Sequence, residues 1–243
     1  MRESCIDSVT FFYPVYNDEG TVRQVAMDAR DMLSELGCRF DILIVNDGSQ
    51  DRSGEIADRL AAEFDFIRVI HHPRNLGYGV ALRTGMSNSS GEWICMIDGD
   101  RQYDVWDFQD LFKVAHHYDL IITFRYKKIY SNYRTFVSWV YNKVLRFLFI
   151  TRFRDISTGL RMVRKHVVED LDLVSTSPFI GAELAIKTYF KGYHVGEVGI
   201  QTFPRTFGKS TSTTPKNILA TINDMWLTYR TIFSTSYQRR GNG

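Results

Sequence analysis

Apolar and polar positions in the first half of the chain switch repeatedly between a strand-like and a helix-like period. Val9-Thr10-Phe11-Phe12 is short and rich in strand formers, and it reads as a strand that stops at Pro14. Asn17 is then placed to cap a helix whose apolar positions Val22, Val25, Ala26, Met32, Leu33 and Leu36 keep helical spacing until Gly37. Phe40 to Val45 is a second strand, closed by the turn Asn46-Asp47-Gly48-Ser49. A short helix with Ile56, Leu60 and Phe64 follows, then a strand from Phe66 to Ile70 and a helix starting near Gly79. The run Trp93 to Ile97 reads as a buried strand, Leu111 falls in a further helix, and Leu120 to Phe124 is another strand. Strands separated by helical patterns predict an α/β fold with a mostly parallel sheet flanked by helices.

The second half has a different texture. From Leu120 to Arg154 there are eight Lys or Arg residues, no Asp or Glu, and ten aromatics. Tyr133 to Ile150 has a helical pattern that is apolar over much of its circumference and broken by Lys143 and Arg146. Such a helix suits the surface of an anionic membrane, and it equally suits packing against the sheet. Beyond it the pattern predicts a helix pair, a strand from Val195 to Phe203, and an amphipathic helix carrying Ile218, Ile222, Met225, Trp226, Tyr229, Ile232 and Phe233. These shifts divide the chain into residues 1–125, 126–214 and 215–243.

Bulk numbers narrow the function. The chain has 243 residues and is 44% hydrophobic, enough for one large core. A net charge of +2 argues against wholesale nucleic-acid binding. Cys5, Cys38 and Cys95 form neither a CxxC nor a disulfide framework, which fits a reducing cytosol. The first eight residues lack an apolar signal core, and no stretch approaches the ~20 apolar residues of a membrane span. The expected location is the cytoplasm, peripheral on the cytosolic membrane face.

Several motifs fail on inspection. Gly77-Tyr78-Gly79 lacks the third glycine of a dinucleotide fingerprint, and Gly208-Lys209-Ser210 lacks the upstream glycine of a P-loop, that position being Phe203. His71-His72 and His116-His117 are adjacent pairs with diverging side chains, read as surface residues. Three segments survive together: Pro14 to Glu19, Val45 to Asp51, and Asp98-Gly99-Asp100. Each follows a predicted parallel strand, so all three converge on the crevice at the carboxyl edge of the sheet. An Asp-Gly-Asp is also a common turn. At that edge, however, two close carboxylates attract a divalent cation, whose shell substrate phosphates usually complete. Asp47 is suited to accept hydrogen bonds from a base or ribose, and Tyr16 to stack on the base.

In this combination the chain resembles inverting family 2 glycosyltransferases of the GT-A (Rossmann-like) fold, and more narrowly the dolichyl- and polyprenyl-phosphate hexosyltransferases of the dolichol-phosphate mannose synthase group. The resemblance runs from about Val9 to Ser210. It implies nucleotide binding by Pro14, Tyr16, Glu19 and Asp47, and a glycine-rich turn at Asn75-Leu76-Gly77 with Ala81, Leu82 and Gly85. It implies a metal and diphosphate motif at Asp98, Asp100 and Gln102, with Mg²⁺ or Mn²⁺ as cofactor and the two aspartates catalytic. Arg125, Arg134 and Ser138 match residues that hold the lipid phosphate. Asp155 to Arg161 matches a segment rich in Ser, Thr and Gly, and Arg205 and Lys209 lie in a C-terminal basic loop that steadies the diphosphate.

The implied activity is metal-dependent transfer of a hexose, with inversion, from a GDP- or UDP-sugar to a polyprenyl phosphate on a membrane surface. A membrane-protein partner or a homodimer is compatible with the last helix. A second expectation keeps the fold and donor but uses a saccharide or soluble hydroxyl acceptor, with Glu183 as catalytic base; a third is a sugar-nucleotide-binding module without turnover. Two departures from the family pattern stand out. Asn46 replaces a usual acid, and Arg101 puts a cation beside the metal motif.

Overall fold

The computed structural model describes residues 6–126, 132–204 and 214–234, the side chains of residues 132–134 excepted. Strands β1 (Ser8–Val15), β2 (Arg39–Asn46), β3 (Ile67–His71), β4 (Trp93–Met96), β5 (Leu120–Arg125), β6 (Arg161–Arg164) and β7 (Val195–Ile200) form one sheet in the order β3-β2-β1-β4-β6-β5-β7. All pairings are parallel except those of β6, which runs antiparallel between β4 and β5. The mixed, mostly parallel sheet flanked by helices is thus as expected.

Helices α1 (Val22–Leu36), α2 (Ser53–Glu63), α3 (Tyr78–Ser87), α4 (Phe108–Val114), α5 (Asn132–Phe149), α6 (Lys165–Asp170), α7 (Ile180–Phe190) and α8 (Pro215–Phe233), with two short 3₁₀ turns at Val105–Asp107 and Ala115–His117, complete the described elements. The strand period sorts the core. Phe11, Tyr13, Ile42 and Ile44 pack with α1, α2 and α4 on one face. Their neighbours Phe12, Leu43 and Val45 pack with α3, α5, α7 and α8 on the other. In α1, Val22, Val25, Ala26, Ala29, Met32 and Leu33 form the buried stripe, and Gly37 closes the helix at φ 71°.

Four details depart from the sequence reading. β1 continues through Pro14 to Val15. This is tolerated because pairing with β4 ends at Phe12, so the missing N–H of Pro14 removes no ladder bond on that side. Asn17 does not cap α1; it adopts φ 55° in the preceding turn, and Thr21 takes the cap position. β7 ends at Ile200. The expected helix pair after α5 is preceded by β6, a four-residue strand whose apolar centre is too short to declare its period.

Helices α5 and α8 both turn large apolar side chains outward. Phe147 of α5 is 84% exposed and Leu219 of α8 is 68% exposed, with Phe136, Trp139, Ile222 and Trp226 also largely in solvent. The buried face of α8 instead carries Asp224 and Thr228 beside Ile232. Among the described residues no helix is long and apolar enough to cross a membrane.

Candidate active site

The three motif segments do converge. Pro14 near the end of β1, Tyr16 just after it, Asp47 after β2, and Asp98, Gly99, Asp100 and Gln102 after β4 line one cavity of about 1060 Å³. Tyr78 at the start of α3 contributes from one side, and Arg125, Ser157 to Gly159 and Arg161 from another. Because β6 runs antiparallel, its beginning lies at this edge, which delivers Arg161 there.

Asp98 and Asp100 are held differently. The Tyr78 hydroxyl donates to Asp98 Oδ1 at 2.6 Å. Burial, and then the charge of Asp98, raise the Tyr78 pKa far above the ordinary phenol value, so this hydroxyl remains a donor. Gly159 lies so close that a Cβ there would collide with the Asp98 carboxylate. Beneath them sits the buried guanidinium of Arg161, donating to the carbonyls of Ile156 and Thr158 at 2.8 and 2.6 Å and also to Gly181. Burial lowers its pKa, and the nearby tyrosines and Asp98 oppose that shift. Asp100 accepts from its own turn, Gln102 N–H to Oδ1 at 3.0 Å, while Arg101 takes φ 57°. The Arg101 guanidinium leans to within 3.9 Å of Asp28 on α1, so the cation beside the motif is directed away from the cavity.

Asp47 is buried and organises the opposite rim. Its oxygens accept from the N–H groups of Leu76 and Gly77 at 2.8 and 2.9 Å, and Oδ1 lies 2.7 Å from His72 Nδ1. His72 Nε2 lies 3.0 Å from Thr84 Oγ1. The His72 side chain is therefore only 8% exposed and tied into the loop network, in contrast to the surface position expected from sequence, and the rings of His116 and His117 approach to 3.7 Å instead of diverging. Asn46, standing where an acid is usual, spans the turn from His71 Nδ1 to Ser49 N–H. Glu19 falls outside the cavity lining, bonded to the Arg52 N–H at 3.0 Å.

On the far wall, Arg125 is 4% exposed at its side chain and pairs with Asp155 at 2.7 Å, with Ser157 Oγ also 2.7 Å from the guanidinium. Ser138, Tyr141 and Val144 of α5 face Thr221, Ile222 and Met225 of α8 across the cavity. The cavity thus passes from a carboxylate-lined floor to an apolar groove between two helices. The side chain of Arg134, and Arg205 and Lys209, lie outside the described residues.

Glu183 is not brought to this cavity. It is fully buried on α7, 2.6 Å from Lys187 Nζ, and accepts from the N–H groups of Val174 and Ser175. A carboxylate with both oxygens engaged away from the crevice is not placed to take a proton from an acceptor. As a helix-start acid Glu183 is a candidate base only in the second expectation, since sequence position alone says nothing of facing direction. Conversely, Tyr78, Asp155 and Arg161 lie within sequence motifs that by themselves assign them no role. Only their burial and partners reveal them.

The floor fits a divalent cation. Asp98, Asp100 and Gln102, all on the lining, carry oxygen donors. One or two carboxylates plus substrate phosphates is the coordination that Mg²⁺ and Mn²⁺ accept and that Zn²⁺ rarely does.

Comparison with known proteins decides the family. Residues 10–172 match the model of glycosyl transferase family 2. The chain belongs to that family. The chain is 30% identical over 172 residues to the undecaprenyl-phosphate 4-deoxy-4-formamido-L-arabinose transferase of Pseudomonas aeruginosa PAO1, covering 70% of the chain and 50% of the relative. It is 33% identical over 109 residues to the dolichyl-phosphate beta-glucosyltransferase ALG5C of Trichomonas vaginalis, covering 43% of the chain and 32% of that protein. The chain spans about half the length of the Pseudomonas relative it matches. In fold it is similar to the glucosyl-3-phosphoglycerate synthase of Mycobacterium tuberculosis, solved with Mn²⁺, UDP and phosphoglyceric acid. The TM-score is 0.71 at 15% identity, over 98% of this chain and 81% of that one. The chain therefore has the GT-A, Rossmann-like architecture that the resemblance implied.

Proposed function

We propose that this glycosyltransferase moves a hexose, with inversion and with Mg²⁺ or Mn²⁺, from a UDP- or GDP-sugar to a polyprenyl phosphate on the cytosolic membrane face. The observation that carries this reading is the continuity of the cavity. Its carboxylate floor at Asp98 and Asp100 runs without a break into the apolar groove between α5 and α8, whose outer faces are themselves apolar. A soluble, strongly hydrated acceptor has no use for such a groove, whereas a prenyl chain buries ~0.8 kcal/mol per CH₂ in one. The names of the relatives, both transferases to a prenyl-type phosphate, support the same acceptor class.

In this mechanism Tyr16 stacks on the base, Pro14 and Asp47 shape the nucleotide subsite, and Glu19 supports the Arg52 turn behind it. Asp98, Asp100 and Gln102 would hold the cation, which supplies charge neutralisation for the departing diphosphate. Arg125, Arg134 and Ser138 hold the acceptor phosphate, with Arg205 and Lys209 beside the diphosphate. An oxygen of that phosphate attacks the anomeric carbon from the face opposite the leaving group; the new C–O bond forms as the bond to the nucleoside diphosphate breaks. A phosphate monoester with a second pKa near ~6 is already ionised at neutral pH, so no general base is needed. The lack of a facing carboxylate at Glu183 supports this over a hydroxyl acceptor.

The assay is direct. With labelled UDP- or GDP-hexose, Mn²⁺ and a short polyprenyl phosphate, label moves into an organic-extractable, acid-labile product. Transfer only to water-soluble acceptors would refute the lipid reading, and nucleotide binding without any transfer would leave the non-catalytic module.

A further inference from the structure

The segment between α6 and α7 is held by carboxylates from two different helices. Val174 and Ser175 N–H groups donate to Glu183 of α7 at 3.1 and 2.9 Å. The next two, Thr176 and Ser177, donate to a single oxygen of Asp224 on α8 at 3.0 and 2.9 Å. Glu183 has Lys187 as its counter-charge. Asp224 is 5% exposed and occupies the inward face of a helix whose outward face is apolar. A buried carboxylate is costly where an apolar side chain would pack, so this one is retained for what its two N–H bonds accomplish.

Those bonds act on the cavity. Thr176 and Pro178 line it, and the Thr176 backbone lies against Gly79 so closely that a Cβ on Gly79 would collide with it. Gly79 follows Tyr78, whose hydroxyl holds Asp98. A continuous contact path therefore runs from α8 through residues 176–177 and the first turn of α3 to the first carboxylate of the floor. The α8 and 174–178 part of this path lies beyond the family-model match, which covers residues 10–172, while Tyr78, Gly79 and Asp98 lie within it.

We propose that Asp224 is a positioning residue that fixes the 174–178 segment against the start of α3, so that the helix forming the acceptor wall also sets the geometry of the donor floor. The kinetic part of this inference rests on the transferase reading; the structural part does not.

Two variants separate positioning from mere stability. Asp224→Asn keeps an oxygen able to accept both N–H bonds, and Asp224→Leu fills the same space without one. Hydrogen exchange at residues 174–178, thermal melting and kcat and KM for the sugar nucleotide are measured on each. The expected result is a folded Leu variant with exchange at 176–177 faster by about tenfold or more and kcat/KM lower by about tenfold, both restored in the Asn variant. Wild-type exchange and turnover in the Leu variant would overturn the proposal. If the Leu variant does not fold, Gly79→Ala presses on the same segment from the other side; unchanged exchange and turnover there overturn it equally. If the wild-type protein transfers no sugar, nucleotide affinity by titration takes the place of turnover and the exchange measurement still decides, so failure of the two readings is distinguishable.

Discussion

The two ends of the cavity are built by opposite means. At the floor the three carboxylates are each held by hydrogen bonds: the Tyr78 hydroxyl on Asp98, the Gln102 backbone N–H on Asp100, and two loop backbone N–H groups with His72 on Asp47. At the α5–α8 groove the lining is mainly apolar, with Val137, Val140, Val144, Ile218, Ile222 and Met225 beside Ser138 and Thr221, and the same helices leave Trp139 and Trp226 in solvent. The floor is preorganised for charge that does not vary, as electrostatic catalysis requires. The groove offers area without direction, which suits a long flexible chain of no fixed shape.

Four experiments would break or sharpen that contrast. The largest effect is expected at the floor: Asp100→Ala, or chelation by EDTA, should lower transfer by ~10³-fold in the labelled assay, and near-normal turnover would remove the cation from the mechanism. Next, Leu219→Glu with Trp226→Glu places charge on the outer face of α8. Co-sedimentation with anionic vesicles and use of a lipid acceptor should fall by roughly 10–100-fold while nucleotide affinity, read by titration, stays the same. Equal loss of nucleotide binding would show that groove and floor are not separable in this way. His72→Ala removes two bonds behind the 75–77 loop and should raise the donor KM about five- to tenfold with little change in kcat. An effect on kcat alone would move His72 from loop support to the chemistry.

The smallest effect concerns a carboxylate that has none of the floor's support. Asp107, between Asp104 and α4, has a buried oxygen without a hydrogen-bond partner among the described residues. Burial, and then the charges of Asp104 and Asp110, raise its pKa from 3.8 to about 6. The folded protein therefore holds this proton more tightly than the unfolded chain does. The associated stability is fully present below about pH 4 and is lost as pH rises through about 6. Asp107→Asn should remove that slope, gaining about 1 kcal/mol at pH 7.5 relative to pH 4 after allowance for partial solvent screening, as read by denaturant unfolding at the two pH values. An unchanged slope would place the charge in water.

How far the sequence foretold this molecule depends on the kind of signal. Strands β1 to β5 and the convergence of Pro14, Asp47 and Asp98 were legible because parallel strands put their chemistry at a fixed end, and the apolar runs mark those ends. β6 was not, because four residues carry too little period, and with it went the placement of Arg161 at the edge. Glu183, His72 and Asp224 were opaque for another reason. A charged residue on a helix or loop is read as exposed unless its partners are known, and their partners here are backbone amides or residues far along the chain.

The antiparallel strand also bears on how the chain assembles. Strand β4 pairs with β1 on one side and with β6 on the other. During synthesis β6 emerges only after β5 and α5, so the Ile94–Met96 edge remains open while half of the sheet is already in place. An apolar edge exposed for that interval is a template for intermolecular pairing, and the aromatic α5 is made within it. Recovery of soluble protein should therefore respond to changes that quicken the seating of β6 more than to changes in the finished core.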